Sequence, residues 1–196
     1  MTKIIKFIPN SITISRFLIS IIFSYCILEC FLYGENKFIS LTVLYLLICT
    51  SDIFDGKIAR KTGFISKTGA QLDVFADLFF LVSSYISLIF VGVLPMWFLV
   101  FIILKFTEFS ITSNFATRNN KSLKHPFVFD KVGRLVSASF FFVPFIACFD
   151  KILFPYSQGH ILNIVLYIIM SAGIYSSILR IKSCLIMTKI KGGYLL

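Results

Sequence analysis

Four of the nine acidic residues in this 196-residue chain are aspartates that lie close together, Asp52, Asp55, Asp73 and Asp77. In a helix, the first two share a face at a spacing of three residues and the last two at a spacing of four. Carboxylates this close raise one another's pKa unless a positive charge offsets them. Their hard oxygens suit Mg²⁺ or Mn²⁺, and Mg²⁺ favours a few carboxylates together with substrate phosphates. We therefore predict that these aspartates bind divalent cations, with helix-end salt bridges to neighbouring basic residues as the alternative.

The elements that must position these aspartates are strongly apolar. The chain is 58% hydrophobic and 14% charged, with a mean hydropathy of +0.91, whereas soluble domains carry roughly 25% charged residues. A helix crosses a bilayer with about 20 apolar residues and satisfies its own backbone polar groups there. We therefore predict an all-α membrane protein, a bundle of six transmembrane helices in one domain over residues 1–196. The predicted spans are 12–33, 38–58, 69–91, 95–115, 132–149 and 161–181.

Basic residues are distributed unevenly around these spans. With the N-terminus in the cytoplasm, sixteen of the nineteen Lys and Arg residues flank the cytoplasmic side, and the external loops hold only Lys37 and Lys151. Cytoplasmic loops of membrane proteins carry this excess, so we predict that both termini are cytoplasmic. Both aspartate pairs then lie at the cytoplasmic ends of spans two and three. The net charge of +10 fits an anionic inner leaflet and an anionic substrate. It does not indicate nucleic-acid binding, because the basic residues form no single patch.

Residues 52–77 read Asp-x-x-Asp-Gly-x-x-Ala-Arg, then eight residues, then Gly-x-x-x-Asp-x-x-x-Asp. This resembles the signature of the CDP-alcohol phosphatidyltransferases at every specified position, and the six-span layout agrees with that family. The resemblance implies transfer of a phosphatidyl group from CDP-diacylglycerol to a small polar alcohol, with release of CMP. It implies two divalent cations, Mg²⁺ or Mn²⁺, held by Asp52, Asp55 and Asp73, with Asp77 as the base that also touches a metal. It further implies a homodimer, which we expect in a bacterial cell membrane with its active site at the cytoplasmic face.

The other motif positions fit a bound CDP-lipid. Gly56 and Gly69 lack side chains where a nucleotide would press on the helices, and Ala59 lies one turn beyond Asp55. Arg60 supplies a permanent charge beside the diphosphate. Small residues also permit close helix packing in membranes, and this is the alternative for the two glycines and the alanine.

The start of the chain bears on the acceptor alcohol. Residues 9–16 read Pro-Asn-Ser-Ile-Thr-Ile-Ser-Arg, which resembles the opening of the family members that form phosphatidylglycerol phosphate and cardiolipin, with Ile12 in place of Leu. Asn10 or Ser11 is predicted to cap the first helix. Arg16 either extends to the lipid headgroups or turns inward to bind an acceptor phosphate.

Two further cations could complete such a phosphate pocket. Lys131 and Arg134 open the fifth predicted span near the same interface, and charge-assisted hydrogen bonds to phosphate are strong. We therefore predict an acceptor pocket from Arg16, Lys131 and Arg134, and glycerol 3-phosphate as the acceptor. The alternative for the two residues of span five is a role in membrane orientation alone.

Two departures from the glycerol-phosphate type leave other acceptors open. Leu78 stands where these relatives usually have Lys, and the fourth span has Lys105 and Glu108 instead of an Arg-Glu pair. Serine and an inositol phosphate are therefore alternatives. A transporter with carboxylate ion sites is a rival class, but transporters place such groups near the bilayer midplane, often within inverted repeats. Here the acids lie at predicted helix ends.

Overall fold

The computed structural model describes residues 2–62, 67–119, 131–154 and 159–192, with side chains at 13–51, 72, 75–112, 132–133, 135–154 and 159–185. These residues form six α-helices and no strand, which confirms the predicted all-α class. The helices are α1 (Thr2–Leu32), α2 (Phe38–Thr62), α3 (Lys67–Phe90), α4 (Met96–Asn119), α5 (Lys131–Leu153) and α6 (His160–Gly192). Each predicted span corresponds to one helix, and most helices extend beyond the predicted ends.

Two helix ends show why the predicted breaks fall where they do. α1 and α3 end just before Gly34 and Gly92, each of which has φ of 71°, a left-handed conformation that glycine adopts without steric cost. At the end of α3, the amide of Val93 donates to the carbonyl of Leu88 at 2.9 Å and closes the last turn. The start of α1 differs from prediction. The residues before Pro9 are helical too, so the prediction that Asn10 or Ser11 caps this helix is wrong.

Three helical segments among the described residues are long and apolar enough to cross a membrane. They are Thr13–Leu32, Leu135–Leu153 and His160–Leu185. Phe38–Ser51 in α2 and Phe75–Phe90 in α3 are shorter apolar segments. The six-span bundle, its cytoplasmic termini and its single domain stay predictions.

The contacts divide the chain into two compact units. The first comprises Met1–Pro95 and Val143–Ser157, and within it α1 packs against both α2 and α3. One face of α1 is buried along alternating spacings of three and four residues, the pattern that keeps a helix stripe against its neighbours. The residues that follow this spacing are Thr13, Arg16, Ser20, Phe23, Ile27 and Cys30, and Cys26 beside them is buried as well. This buried stripe is therefore apolar toward the end of α1 and polar near its start.

Aromatic pairs hold the helices of this unit together. Phe23 of α1 meets Phe80 of α3 with ring centroids 5.6 Å apart. Tyr45 of α2 stacks on Phe145 of α5 at 4.7 Å, with 14° between the ring planes. Such pairs add specific geometry to the burial of large apolar surfaces.

The second unit comprises Met96–Phe142 and Gln158–Leu196, and in it α4 packs against α6. Trp97 and Tyr167 stack with ring centroids 5.5 Å apart. Further along the same pair of helices, a Cβ placed on Gly173 would lie only 2.5 Å from Cζ of Phe101. The two helices can approach this closely because α6 has no side chain at that point.

Candidate functional site

The residues of the predicted motif lie on two helices of the first unit. The end of α2 contains residues 52–60, and the start of α3 contains residues 69–77. Because both segments are helical, the two aspartates of each pair lie about one turn apart along their helix. The motif positions whose surroundings lie outside the described residues are Asp52, Asp55, Gly56, Ala59, Arg60, Gly69 and Asp73. Of the four predicted carboxylates, the structure therefore describes that of Asp77.

Asp77 forms an ion pair with Arg16 of α1. Nη1 of the arginine donates to Oδ1 of the aspartate at 2.8 Å, the length expected of a charge-assisted hydrogen bond. The arginine side chain is 1% exposed and that of the aspartate 32% exposed. The pair thus joins a nearly fully buried guanidinium to a carboxylate that the protein covers only in part.

The packing of α1 against α3 explains why Arg16 points inward. It belongs to the buried stripe of α1, between the small buried residues Thr13 and Ser20. The Ser20 hydroxyl donates to the carbonyl oxygen of Arg16 at 2.7 Å. Beside the pair, the ring of Phe17 on α1 meets that of Phe79 on α3 at 5.2 Å. Of the two predicted orientations of Arg16, the structure therefore shows the inward one, with Asp77 as a partner.

The electrostatics of this pair favour an oriented, charged carboxylate. A guanidinium removed from water is costly unless an acceptor and a countercharge meet it. Arginine remains charged at any working pH, so the pair brings a permanent positive charge to the Asp77 carboxylate. An ionised carboxylate in a fixed orientation can bind a hard cation or accept a proton from an alcohol.

The other residues predicted for the acceptor lie on α5. Lys131 and Arg134 fall in its first turns, which is the placement predicted from the sequence, although their side chains lie outside the described residues. Leu78, which replaces the usual lysine of the glycerol-phosphate type, is partly buried on α3.

A second polar cluster lies in the other unit, between α4 and α6. Nζ of Lys105 donates to Oε2 of Glu108 at 2.9 Å, to Oγ of Ser177 at 2.8 Å and to the carbonyl of Gly173 at 3.2 Å. The Ser177 hydroxyl in turn donates to Oε2 of Glu108 at 2.6 Å. The sequence drew attention to the lysine and the glutamate but missed the serine. The signal that could have found it is the small pair Gly173 and Ser177, one turn apart on an apolar helix.

Metal binding is not tested by the side chains that the structure describes. Among them, no three His, Cys, Asp or Glu residues come together in a group able to hold a metal ion. Three of the four predicted ligands, Asp52, Asp55 and Asp73, lie outside that set. The two-cation site therefore stays a prediction.

The described residues form an all-helical chain, and the predicted motif falls on two of its helices. Residues 6–178 match the family model of the CDP-alcohol phosphatidyltransferases, and the chain belongs to this family. Three of its helical segments are long and apolar enough to cross a membrane, which fits an integral membrane protein.

The chain also shares part of its sequence with a curated protein. The chain is similar to the CDP-diacylglycerol--glycerol-3-phosphate 3-phosphatidyltransferase of Bacillus subtilis (strain 168), with 28% identity over 114 residues. This match covers 54% of the chain and 58% of the relative, and thus less than two thirds of the relative's length.

Proposed function

We propose that this protein transfers the phosphatidyl group of CDP-diacylglycerol to glycerol 3-phosphate and releases CMP. The observation that carries the proposal is the complete eight-position motif on α2 and α3 of a chain that belongs to the family. The acceptor is supported by the opening at residues 9–16 and by the name of the Bacillus relative.

The proposed reaction is a displacement at phosphorus. The acceptor's hydroxyl oxygen forms a bond to the phosphorus that bears the diacylglycerol, and the bond from that phosphorus to the bridging oxygen breaks. The electron pair of the broken bond leaves with CMP. The hydroxyl proton passes to Asp77, whose carboxylate is about one-third exposed and thus within reach of an alcohol.

The donor set fits two divalent cations. Asp52, Asp55, Asp73 and Asp77 provide hard carboxylate oxygens, and helical spacing keeps each pair on one face. Mg²⁺ or Mn²⁺ held there would neutralise charge on the diphosphate and on the departing CMP. In the same proposal the CDP-lipid lies against Gly56, Ala59 and Gly69, with Arg60 beside its diphosphate.

The acceptor phosphate is assigned to basic residues of α5. Lys131 and Arg134 would hold it through charge-assisted hydrogen bonds. Arg16, the third residue predicted for this pocket, is buried against Asp77, so we do not assign it to the acceptor. We also propose that both termini and the active site are cytoplasmic and that the protein is a homodimer in a bacterial cell membrane.

An acceptor comparison tests this function. Purified protein would receive CDP-diacylglycerol, Mn²⁺ or Mg²⁺ and one of glycerol 3-phosphate, serine or inositol phosphate, and CMP release would be measured for each. We expect turnover with glycerol 3-phosphate and none in Asp77→Asn. Turnover with serine but not with glycerol 3-phosphate would show that serine is the acceptor, and the proposed reaction class would stand. No CMP release with any alcohol would reject the reaction class.

A further inference from the structure

The ion pair between α1 and α3 assigns a specific task to Arg16. This residue occupies a core position of the buried stripe, where a helix pair would ordinarily place an apolar side chain. Its neighbours on the stripe, Thr13 and Ser20, are 3% and 0% exposed. Both are small, which leaves space for a long guanidinium side chain to reach Asp77.

Packing alone does not require an arginine at this place. Replacing a buried ion pair by apolar residues of similar size is often neutral or even stabilising. The buried charge of Arg16 is therefore weak evidence that this residue stabilises the fold. The identity of its partner suggests a role in the reaction instead. Here the partner is the carboxylate to which we assign the acceptor's proton.

Direct binding of the acceptor phosphate fits the geometry poorly. The Arg16 side chain is 1% exposed, and Nη1 is already engaged by Asp77. A phosphate arriving from water would need several of the guanidinium's donors at once, and these are removed from solvent.

We infer that Arg16 is a positioning residue that orients the Asp77 carboxylate for phosphatidyl transfer, an inference that rests on the proposed function. A carboxylate fixed at Oδ1 by a buried donor cannot rotate freely about its Cβ–Cγ bond. Its plane, and hence the direction of its lone pairs, follows from the packing of α1 on α3. Pre-ordered groups of this kind raise the rate of the chemical step, because the geometry need not be found during each turnover.

The ion pair itself can be tested without turnover. Thermal unfolding in detergent, without added divalent cations, would be compared for Asp77→Asn, Arg16→Met and the double variant. Asp77→Asn leaves a nearly fully buried guanidinium without its countercharge and should lower Tm by several degrees. Arg16→Met added to Asp77→Asn should restore most of that loss. Shifts that simply add would overturn the inference, because they show no coupling between the two residues.

A matched control is provided by a more exposed ion pair of the same unit. Lys37 lies 3.0 Å from Glu29 and 2.9 Å from Glu35, and its side chain is 31% exposed. Lys37→Met removes the same charge as Arg16→Met. Combined with Asp77→Asn, it should give the sum of the two single shifts, and recovery of Tm by this control would overturn the specific pairing.

Kinetics distinguish positioning from acceptor binding. Arg16→Met should lower kcat by about 10–100-fold and leave the acceptor KM within about threefold of its wild-type value. Arg16→Lys, which keeps the charge but not the planar fork, should recover part of kcat, and Lys37→Met should behave as wild type. A large rise in acceptor KM with kcat retained would overturn the inference and return Arg16 to the phosphate pocket.

The two proposals fail in different ways. An active wild type whose kcat is unchanged in Arg16→Met overturns the positioning role alone. If the wild type releases no CMP with any of the alcohols, the proposed function is rejected. The positioning role of Arg16 is then rejected as well, because it rests on that function.

Discussion

Lys105 on α4 donates to the hydroxyl of Ser177 on α6 across 2.8 Å. The same ammonium also donates to Glu108 and to the carbonyl of Gly173, so its three hydrogens have three acceptors. A lysine engaged in this way links two helices and has no donor left for a substrate phosphate. This matters because Lys105 and Glu108 stand where the resemblance to the glycerol-phosphate type implies an Arg-Glu pair.

We expect Lys105→Met to weaken the fold rather than acceptor binding. The substitution leaves the Glu108 carboxylate, 19% exposed, without its cation, at a cost of about 1–3 kcal/mol. Tm in detergent should fall by roughly 2–10 °C, and the acceptor KM should stay within about threefold. Lys151→Met, at an exposed lysine of α5, is the control and should change neither. A tenfold or larger rise in acceptor KM with unchanged Tm would contradict this structural role.

Removal of divalent cations should abolish activity reversibly. If four carboxylates hold the metals, Asp52→Asn, Asp55→Asn and Asp73→Asn should each lower CMP release by about 100-fold or more, because charge on the diphosphate is no longer neutralised. Excess chelator should have the same effect, and added Mn²⁺ or Mg²⁺ should restore the rate. The control is Glu35→Gln, an exposed acid paired with Lys37. Full activity in excess chelator would reject the metal proposal.

Arg134→Ala should impair the use of a phosphorylated acceptor. Loss of one charge-assisted hydrogen bond to phosphate, worth about 1.5–3 kcal/mol, should lower kcat/KM for glycerol 3-phosphate by about 10–100-fold. The KM for CDP-diacylglycerol should barely change. Lys151→Ala removes one positive charge from the same helix and serves as the control. Equal losses in both variants would show that the positive charge of Arg134 orients the protein in the membrane and does not bind the acceptor phosphate.

Membrane orientation can be determined by cysteine accessibility. Cys49 and Cys184 are partly exposed, so all native cysteines would first be replaced by serine. Because Lys and Arg concentrate on the cytoplasmic side, a cysteine at Lys37 should react with an impermeant reagent in intact cells. A cysteine at Lys189 should react only after permeabilisation. Labelling of position 189 from outside would reverse the proposed topology.

The proposed homodimer makes a simple prediction about mass. Light scattering of the purified protein in mild detergent, corrected for the detergent, should give twice the chain mass of 22.3 kDa. The active fraction should coincide with that species. Full activity in a strictly monomeric fraction would rule out a need for the second copy.

The sequence by itself determined the helices and the spacing of the motif. Six apolar runs separated by polar or turn residues predicted six helices, and Gly34 and Gly92 in two of these breaks adopt a left-handed conformation just after α1 and α3 end. Helical periodicity is local, so the relation between Asp73 and Asp77 followed directly from their separation. The predicted cap at Asn10 or Ser11 was wrong because the helix begins before Pro9. A residue type that favours capping does not by itself fix where a helix begins.

Only the tertiary structure decided which side chains meet across helices. Arg16 and Asp77 are 61 residues apart in the chain, and Lys105 and Ser177 are 72 apart. Spacing rules relate residues on one helix, whereas these partners depend on how far each helix is rotated and shifted against its neighbour. For a basic residue near the start of a helix, the sequence does not distinguish a side chain that extends to the headgroups from one that turns into the core. The packing of α1 on α3 removed the first choice for Arg16, because it buries the stripe that carries this residue and places a carboxylate beside it.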